Sequence, residues 1–161
     1  AFCAVQMSGA CMAPLPTRAT LYLAVRGVEA LSALNDMAPG SLPCLETLRL
    51  DECRNVQKLE AWLGRLPSLK ELKLSISGVE DLSALNDMAP GSLPLLETLS
   101  LDQCRNVQKL EAWMGRLPSL KTLYLSGSGV EDLSALNDMA PGSLPLLETL
   151  SLGACTNVQM L

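Results

Sequence analysis

Leucines separated by a single residue recur along this 161-residue chain at nearly regular intervals. A Leu-Pro pair stands before each such segment, at 15, 42, 66, 93, 117 and 144, with gaps of 27, 24, 27, 24 and 27 residues. Alternation with a period of two indicates a short strand with both leucines on one face, because successive side chains of a strand point to opposite sides. Proline before each segment opposes a continuous helix. The pattern therefore predicts about six short strands.

The strands belong to a larger unit that is copied along the chain. Gly27, Gly78 and Gly129 are each 51 residues apart, and the stretch from Gly78 to Leu101 recurs unchanged from Gly129 to Leu152. Buried leucines would need only packing, but positions expected to be solvated are identical too, such as Asn86 and Asn137. Folding does not demand that identity. Tandem duplication of one unit and deliberate assembly from one unit both explain it.

The recurring string LxxLxLxx, followed by Ser or Cys, resembles the leucine-rich repeat family, in a variant with alternating 24- and 27-residue repeats. The resemblance covers nearly the whole chain and implies an α/β fold. It implies a curved right-handed solenoid, with about six short parallel strands on the concave face and short helices on the convex face. We expect one domain over 1–161, with a partial repeat at 1–14, full repeats at 15–41, 42–65, 66–92, 93–116 and 117–143, and a partial repeat at 144–161.

The segments between strands are interpreted as short helices. The segment after Gly78 predicts one or two helical turns with Leu82 and Leu85 inward, ended by Ala89-Pro90-Gly91. In the shorter repeats, NVQKLEAWMGR predicts a helix with Asn106 as N-cap, and with Leu110, Trp113 or Met114, and Leu117 facing inward. For Trp62 and Trp113 core packing is favoured over ligand stacking. Val5–Pro16 aligns with this convex segment, Val107–Pro118, so the chain is expected to begin partway through a short repeat.

The family usually carries Asn after LxLxx, where its side chain hydrogen-bonds the loops of neighbouring coils. Here that ladder position holds a thiol or a hydroxyl, each of which can make a weaker version of the bond. The structural ladder residues implied by the resemblance are Cys53, Ser77, Cys104, Ser128 and Cys155.

Composition narrows the chemistry. There is no His, which removes the commonest general base and the commonest zinc ligand. The aspartate column formed by Asp51 and Asp102 is interrupted, and Gly127-Ser128-Gly129 lacks the rest of a phosphate-loop motif, so it is interpreted as a repeating turn. We therefore expect no enzyme, no metal and no cofactor.

Charge and cysteine usage address partners and compartment. The net charge is −5, no block of Lys and Arg predicts nucleic-acid binding, and no apolar run is long enough to span a membrane. The first residues show no secretory signal, and the cysteines show no disulfide framework. An intracellular location is favoured over secretion.

The outward positions of the strands form the candidate binding surface, because much of the variation between the 51-residue copies falls there. Free drift of exposed strand positions is the alternative explanation of that variation. Tyr22, Arg49 and Tyr124 are the expected energetic hot spots. The partner-binding residues predicted on the concave face are Tyr22, Thr47, Arg49, Asp51, Glu71, Lys73, Thr98, Ser100, Asp102, Thr122, Tyr124 and Ser126.

Two functions follow from this interpretation. The first is a protein-protein interaction module that binds a protein or peptide on its concave face, as leucine-rich repeat proteins commonly do. The second is a structural or engineered repeat scaffold without a dedicated ligand. Because neither end of the sequence has the polar capping unit expected of a solenoid, we expect self-association or fraying at open ends.

Overall fold

A computed structural model of the chain describes residues 4–8, 19–24 and 42–155, apart from 55, 58, 60, 81, 83, 84, 86, 87, 90, 111 and 138–142. Within these residues the strands form one sheet of seven, in the order of the chain. The strands are β1 (Ala4–Ser8), β2 (Ala19–Ala24), β3 (Leu45–Arg49), β4 (Glu71–Lys73), β5 (Thr98–Ser100), β6 (Thr122–Tyr124) and β7 (Thr149–Ser151).

Strands β2 to β7 are parallel and in register, as the leucine spacing predicts. The first leucine of every LxL pair stands beside its equivalent in the neighbouring strand. This row consists of Leu21, Leu48, Leu72, Leu99, Leu123 and Leu150. A chain that adds one parallel strand per repeat and buries this leucine in successive coils, at 48, 72, 99 and 123, is an α/β leucine-rich-repeat solenoid.

Strand β1 departs from the prediction. It pairs antiparallel with β2, so that Ala4 faces Ala24 and Ser8 faces Thr20. The alignment of Val5–Pro16 with a convex segment is therefore wrong for Val5 to Ser8, which form an edge strand. Two adjacent antiparallel strands need only a short connection, whereas a parallel strand needs a crossover. The rest of 1–14 lies outside the described residues.

The core is aliphatic and continuous through the described coils. Leu48, Leu72, Leu99 and Leu123 are at most 1% exposed, so each coil shelters the leucines of its neighbour. Leu82 and Leu85 are buried, which confirms their predicted inward orientation. Burial of a leucine side chain stabilises the fold by about 1.5–3 kcal/mol, so each leucine of the central row contributes substantially to stability.

The convex segments of the shorter repeats differ from the prediction. Each contains a single 3₁₀ helix, at Ala61–Arg65 and Ala112–Arg116, instead of a longer helix that begins near Asn106. Asn106 is not an N-cap, since its side-chain amide donates to the carbonyl of Gly78 in the preceding coil at 3.3 Å. The residues predicted to face inward do so, and Trp113 and Met114 are both buried.

The longer repeat 117–143 contains α1 (Ser134–Asn137), which confirms the helical turn predicted there. The Asp132 carboxylate accepts a hydrogen bond from the Ser134 N–H at 2.7 Å at the start of α1. The hydrogen bonds from Ser134 hold the pKa of Asp132 below its ordinary value.

Two glycines set how closely adjacent coils approach. A Cβ placed on Gly78 would lie 1.9 Å from the carbonyl oxygen of Arg54, and one on Gly129 would lie 2.0 Å from that of Arg105. The amides of these glycines donate to the carbonyls of Cys53 and Cys104, each at 3.2 Å. Only a residue without a Cβ permits this contact, which explains the glycine at 78 and at 129.

A left-handed residue follows each strand from β3 to β7. The positive φ angles belong to Glu52 (61°), Ile76 (58°), Gln103 (57°), Gly127 (64°) and Ala154 (57°). Four of these five carry a side chain in a conformation that ordinarily favours glycine. The amides of the first four donate to the carbonyls of Ser75, Asp102, Ser126 and Gly153 in the next coil, which holds the turns in register.

Candidate interaction surface

The outer sheet face, as we call it, consists of three parallel rows of residues from β3 to β7. Two rows are the outward positions of the strands. The third row lies two residues after each strand, just beyond the inward leucine. The outer sheet face corresponds to the predicted concave face. The first row is Thr47, Glu71, Thr98, Thr122 and Thr149; the second is Arg49, Lys73, Ser100, Tyr124 and Ser151; the third is Asp51, Ser75, Asp102, Ser126 and Gly153.

Charge is concentrated on one side of this face. The Arg49 guanidinium contacts the Asp51 carboxylate at 2.7 Å, and Lys73 Nζ lies 3.1 Å from a carboxylate oxygen of Glu71. Both pairs join residues of the same coil and are partly exposed, so each contributes at most about 1 kcal/mol to stability. Separating either ion pair therefore costs little free energy, so a partner can compete for all four side chains.

The other side of the face is neutral and carries its largest side chain, Tyr124, at 37% exposure. Its neighbours across the sheet are the small residues Ser100 and Ser151. An aromatic ring flanked by short side chains presents its faces as well as its hydroxyl to solvent. Tyrosine in such a position is a common anchor in protein interfaces.

Ser100 is not open to solvent, in contrast to the expectation for an outward position. It is 4% exposed, because it lies between the larger side chains of Lys73 and Tyr124. Its hydroxyl lies 3.2 Å from that of Ser75 and donates to Asp102 at 3.3 Å. Asp102 in turn accepts from the Ser126 N–H at 2.8 Å. Ser100 therefore supports its neighbours and offers little surface of its own.

The structure places the other predicted binding residues on the same face. Thr47, Asp51, Thr98, Asp102, Thr122 and Ser126 are half-buried there. The backbone of Tyr22 pairs with that of Arg49, which puts this residue in the second row, while its side chain lies outside the described residues.

The ladder residues lie beneath the turns, where they join one coil to the next. The Cys104 thiol donates to the Leu74 carbonyl of the preceding coil at 2.9 Å. Its sulfur lies 3.3 Å from the Ser77 hydroxyl, which itself accepts from the Val79 N–H at 3.4 Å. Since the single thiol hydrogen serves Leu74, the Ser77 hydroxyl donates to the sulfur.

The next ladder pair repeats this arrangement. Cys155 donates to the Leu125 carbonyl at 2.9 Å, and its sulfur lies 3.7 Å from the Ser128 hydroxyl. In the first short coil, the Cys53 thiol lies 3.6 Å from the Asp51 carbonyl. Burial raises the pKa of the Cys104 thiol above its ordinary value, against the smaller effect of the Ser77 hydrogen bonds. A thiol of this kind stays neutral and unreactive.

The differences between the copied units concentrate on the outer sheet face and on the left-handed turns. Units 27–77 and 78–128 differ at eight of 51 positions. The face and turn positions are only eight of the 51, yet they hold five of the eight differences. These are Arg49/Ser100, Glu52/Gln103, Glu71/Thr122, Lys73/Tyr124 and Ile76/Gly127.

Other kinds of site receive no support within the described residues. No group of three or more His, Cys, Asp or Glu in that part of the chain is placed to hold a metal ion. None of the helices described is both long and apolar enough to cross a bilayer. Trp62 and Trp113 are buried core residues, and the indole N–H of each has no hydrogen-bond partner.

Comparison with known proteins finds similarity among solved structures. No protein-family model and no curated protein matches the chain. Among solved structures it is similar to internalin C2 from Listeria monocytogenes str. 4b F2365, with 25% sequence identity and a TM-score of 0.40. The match covers 70% of this chain and 53% of that chain, so this chain spans about half the length of internalin C2. At this TM-score the likeness carries no argument. The assignment as a leucine-rich-repeat solenoid depends on the strand register and the buried leucines.

Proposed function

We propose that this protein is a protein-interaction module, which binds a protein or peptide partner on its outer sheet face. The observation that carries the proposal is the location of the differences between the copies. Drift alone would not concentrate the differences on this face. Most exposed residues elsewhere are unchanged, such as Glu80, which is also Glu at 29 and 131, whereas Leu95 stands where the preceding unit has Cys44.

The chemistry of the face suits a partner of mixed character. Arg49 and Lys73 supply cations that a partner carboxylate can share, while Tyr124 supplies apolar area and a hydroxyl. The threonines of the first row supply hydroxyls on every strand but β4. Because these side chains are carried by the strands of a sheet, the surface is rigid. Binding therefore costs little conformational entropy in the module itself.

The test selects binders from a random peptide library and measures their dissociation constants for variants of the protein. Lys73→Ala with Tyr124→Ala removes a cation and the most exposed ring of the face. We expect binding to weaken at least about tenfold, which corresponds to about 1.4 kcal/mol. The matched control is Lys109→Ala with Leu95→Ala, which removes a cation and a large exposed side chain from outside the face.

The control variant is expected to bind as the parent protein does. The outer sheet face is not the binding surface if binding weakens equally in both double variants. The same conclusion follows if Lys73→Ala with Tyr124→Ala leaves the dissociation constants of the selected peptides unchanged. Thermal unfolding of both variants checks that neither result arises from loss of the fold.

A second candidate function is a scaffold that associates through its ends. Leu150 is 39% exposed, whereas its equivalents Leu99 and Leu123 are at most 1% exposed. Glu148 is also exposed, while the equivalent Glu97 pairs with Lys121 of the next coil at 3.2 Å. Sedimentation over rising protein concentration tests this candidate, and Leu150→Lys is expected to abolish any concentration-dependent growth.

A further inference from the structure

A cavity of about 580 Å³ lies between the turns that follow β5, β6 and β7. Gln103, Gly127 and Ala154 contribute these turns, and Arg105, Ser126 and Ser128 line the wall. We call this cavity the turn pocket. Its volume is within the range of pockets that hold small organic ligands. It adjoins the outer sheet face at Ser126, and the inference drawn from it does not depend on the proposed function.

Differences between the copied units create this space. The position of Gly127 is occupied by Ile76 in the preceding unit, where the side chain is half-buried. A Cβ placed on Gly127 would contact only Gln103 Cγ, at 3.5 Å, so the volume that an isoleucine would take is empty. The third turn carries Ala154 where the preceding unit has Gln103, which widens the pocket further.

The differences between the copied units also change the charge of the turn pocket. The equivalent of Gln103 in the preceding unit is Glu52, so one carboxylate is absent beside the pocket. Arg105 is exposed, lines the pocket and has no ion pair within the described part of the chain. The carboxylate of Asp102 is close in sequence but already accepts from Ser126 and Ser100. The pocket therefore offers an unshared guanidinium and an amide donor.

The consecutive amides of the central turn are not available to a ligand. The amides of Gly127, Ser128 and Gly129 donate to the carbonyls of Gly153, Leu125 and Cys104. The pocket is therefore not a phosphate loop, and recognition must come from side chains. A guanidinium pairs with carboxylate or phosphate through two parallel hydrogen bonds, which gives both strength and orientation.

We propose that the turn pocket binds a small organic anion, whose carboxylate or phosphate group pairs with Arg105 and whose remaining atoms fill the space left by the missing isoleucine side chain. The volume exceeds that of a bare ion, so the ligand carries its charge on a larger body. Gln103 donates a further hydrogen bond to the same group, a role that glutamate at this position could not take.

The test is an NMR titration at constant ionic strength with N-acetyl-β-alanine and N-acetyl-O-phosphoethanolamine, of which the first carries only a carboxylate and the second only a phosphate. We expect one of them to give saturable shifts at the amides of Gln103, Gly127 and Ala154. N-acetyl-β-alaninamide has the body of the first probe without its charge and is expected to bind more weakly or not at all. Arg105→Gln should weaken binding at least about tenfold, and Gly127→Ile should weaken it by occupying part of the pocket.

Two features keep the test decisive. Arg54→Gln is the matched control, because Arg54 holds the equivalent position in the preceding unit, and it should leave the affinity unchanged. Ile76 already adopts φ of 58° at the equivalent turn, so Gly127→Ile is compatible with the fold, and thermal unfolding verifies this. No saturable binding of either anion, equal binding of the uncharged N-acetyl-β-alaninamide, or equal loss in Arg54→Gln would overturn the proposal.

Discussion

The long coils 66–92 and 117–143 have the same sequence at all but three of their 27 positions. The differences are Glu71/Thr122, Lys73/Tyr124 and Ile76/Gly127, all on the outer sheet face or at the turn beside it. Both coils nevertheless make the same inter-coil contacts. Ser68 and Ser119 donate to the carbonyls of Pro43 and Pro94 at 2.6 Å in each case.

This comparison separates the residues that define the coil from those that vary upon it. Leucines, glycines and hydrogen bonds to neighbouring coils fix the path of the backbone and are common to both coils. The residues that differ reach solvent and alter charge, aromatic area and cavity volume without altering that path. Surface chemistry can therefore change from one coil to the next at little cost to folding.

The largest expected effect tests the backbone path that both coils share. Gly78→Ala and Gly129→Ala each place a methyl group inside the contact distance of a backbone carbonyl. Since the backbone cannot yield as a side chain can, each variant is expected to lose about 3–5 kcal/mol in the free energy of unfolding. Denaturant titration measures it, and the two values should agree within error.

Gly91→Ala is the control for this prediction. Gly91 has φ of 81° and nothing within 4 Å of the point where the added methyl group would lie, so it reports only the conformational cost, about 1 kcal/mol. If Gly78→Ala lowers the free energy of unfolding no more than Gly91→Ala does, the result contradicts the close approach between adjacent coils at Gly78.

A smaller effect is expected at the turn where the coils differ. Gly127→Ala should lose about 1 kcal/mol, because the methyl group has room but the left-handed backbone disfavours it. Ile76→Gly should gain about 0.5 kcal/mol, since relief of the strained φ exceeds the loss of a half-buried side chain and of chain entropy. Effects of the same sign in both variants would contradict the shared turn conformation.

The smallest effect concerns the two ladder thiols. Cys104 is buried and Cys155 is half-buried, although both donate at 2.9 Å to a carbonyl of the preceding coil. Iodoacetamide at neutral pH is therefore expected to alkylate Cys155 well before Cys104, as peptide mass mapping would show. Equal rates would contradict the burial of Cys104.

The raised pKa of Cys104 also makes stability depend on pH. Just above the ordinary thiol pKa of 9.0, Cys104 ionises in the unfolded chain but not in the folded protein. The free energy of unfolding should therefore fall as the pH rises from 9.0 towards the pKa of Cys104 in the folded protein. Below that pH this group should contribute no dependence. Cys104→Ser retains a hydrogen-bond donor and should lack this fall, so denaturant titration of both proteins across the range isolates the thiol.

The sequence predicts what depends on hydrophobic period. The spacing of the leucines predicted the parallel strands, their register and the inward orientation of Leu82 and Leu85. It did not predict the antiparallel strand β1, because Val5–Ser8 lacks the leucine pattern and its partner strand decides its structure. It overestimated the helix before Arg116, since a segment too short for a stable α-helix closes as a 3₁₀ turn.

The candidate sites were less accessible to sequence reasoning. The left-handed turns at Glu52, Ile76 and Gln103 carry no glycine, so no local residue type marks them. The burial of Ser100 depends on its neighbours across the sheet, which lie about 25 residues away in the chain. The turn pocket likewise depends on three turns from different repeats, and only the absence of a side chain at Gly127 hinted at it.

Alternation of coil length also gives the solenoid two kinds of seam. From short to long coil the joint contains an ion pair, Glu46 with Lys70 and Glu97 with Lys121. From long to short coil the described residues show hydroxyl and thiol contacts, such as Ser126 with Ser151. Under mechanical load such a stack should part at unequal forces that repeat every second coil, and raising the salt concentration should weaken the joints that contain Glu46 with Lys70 and Glu97 with Lys121.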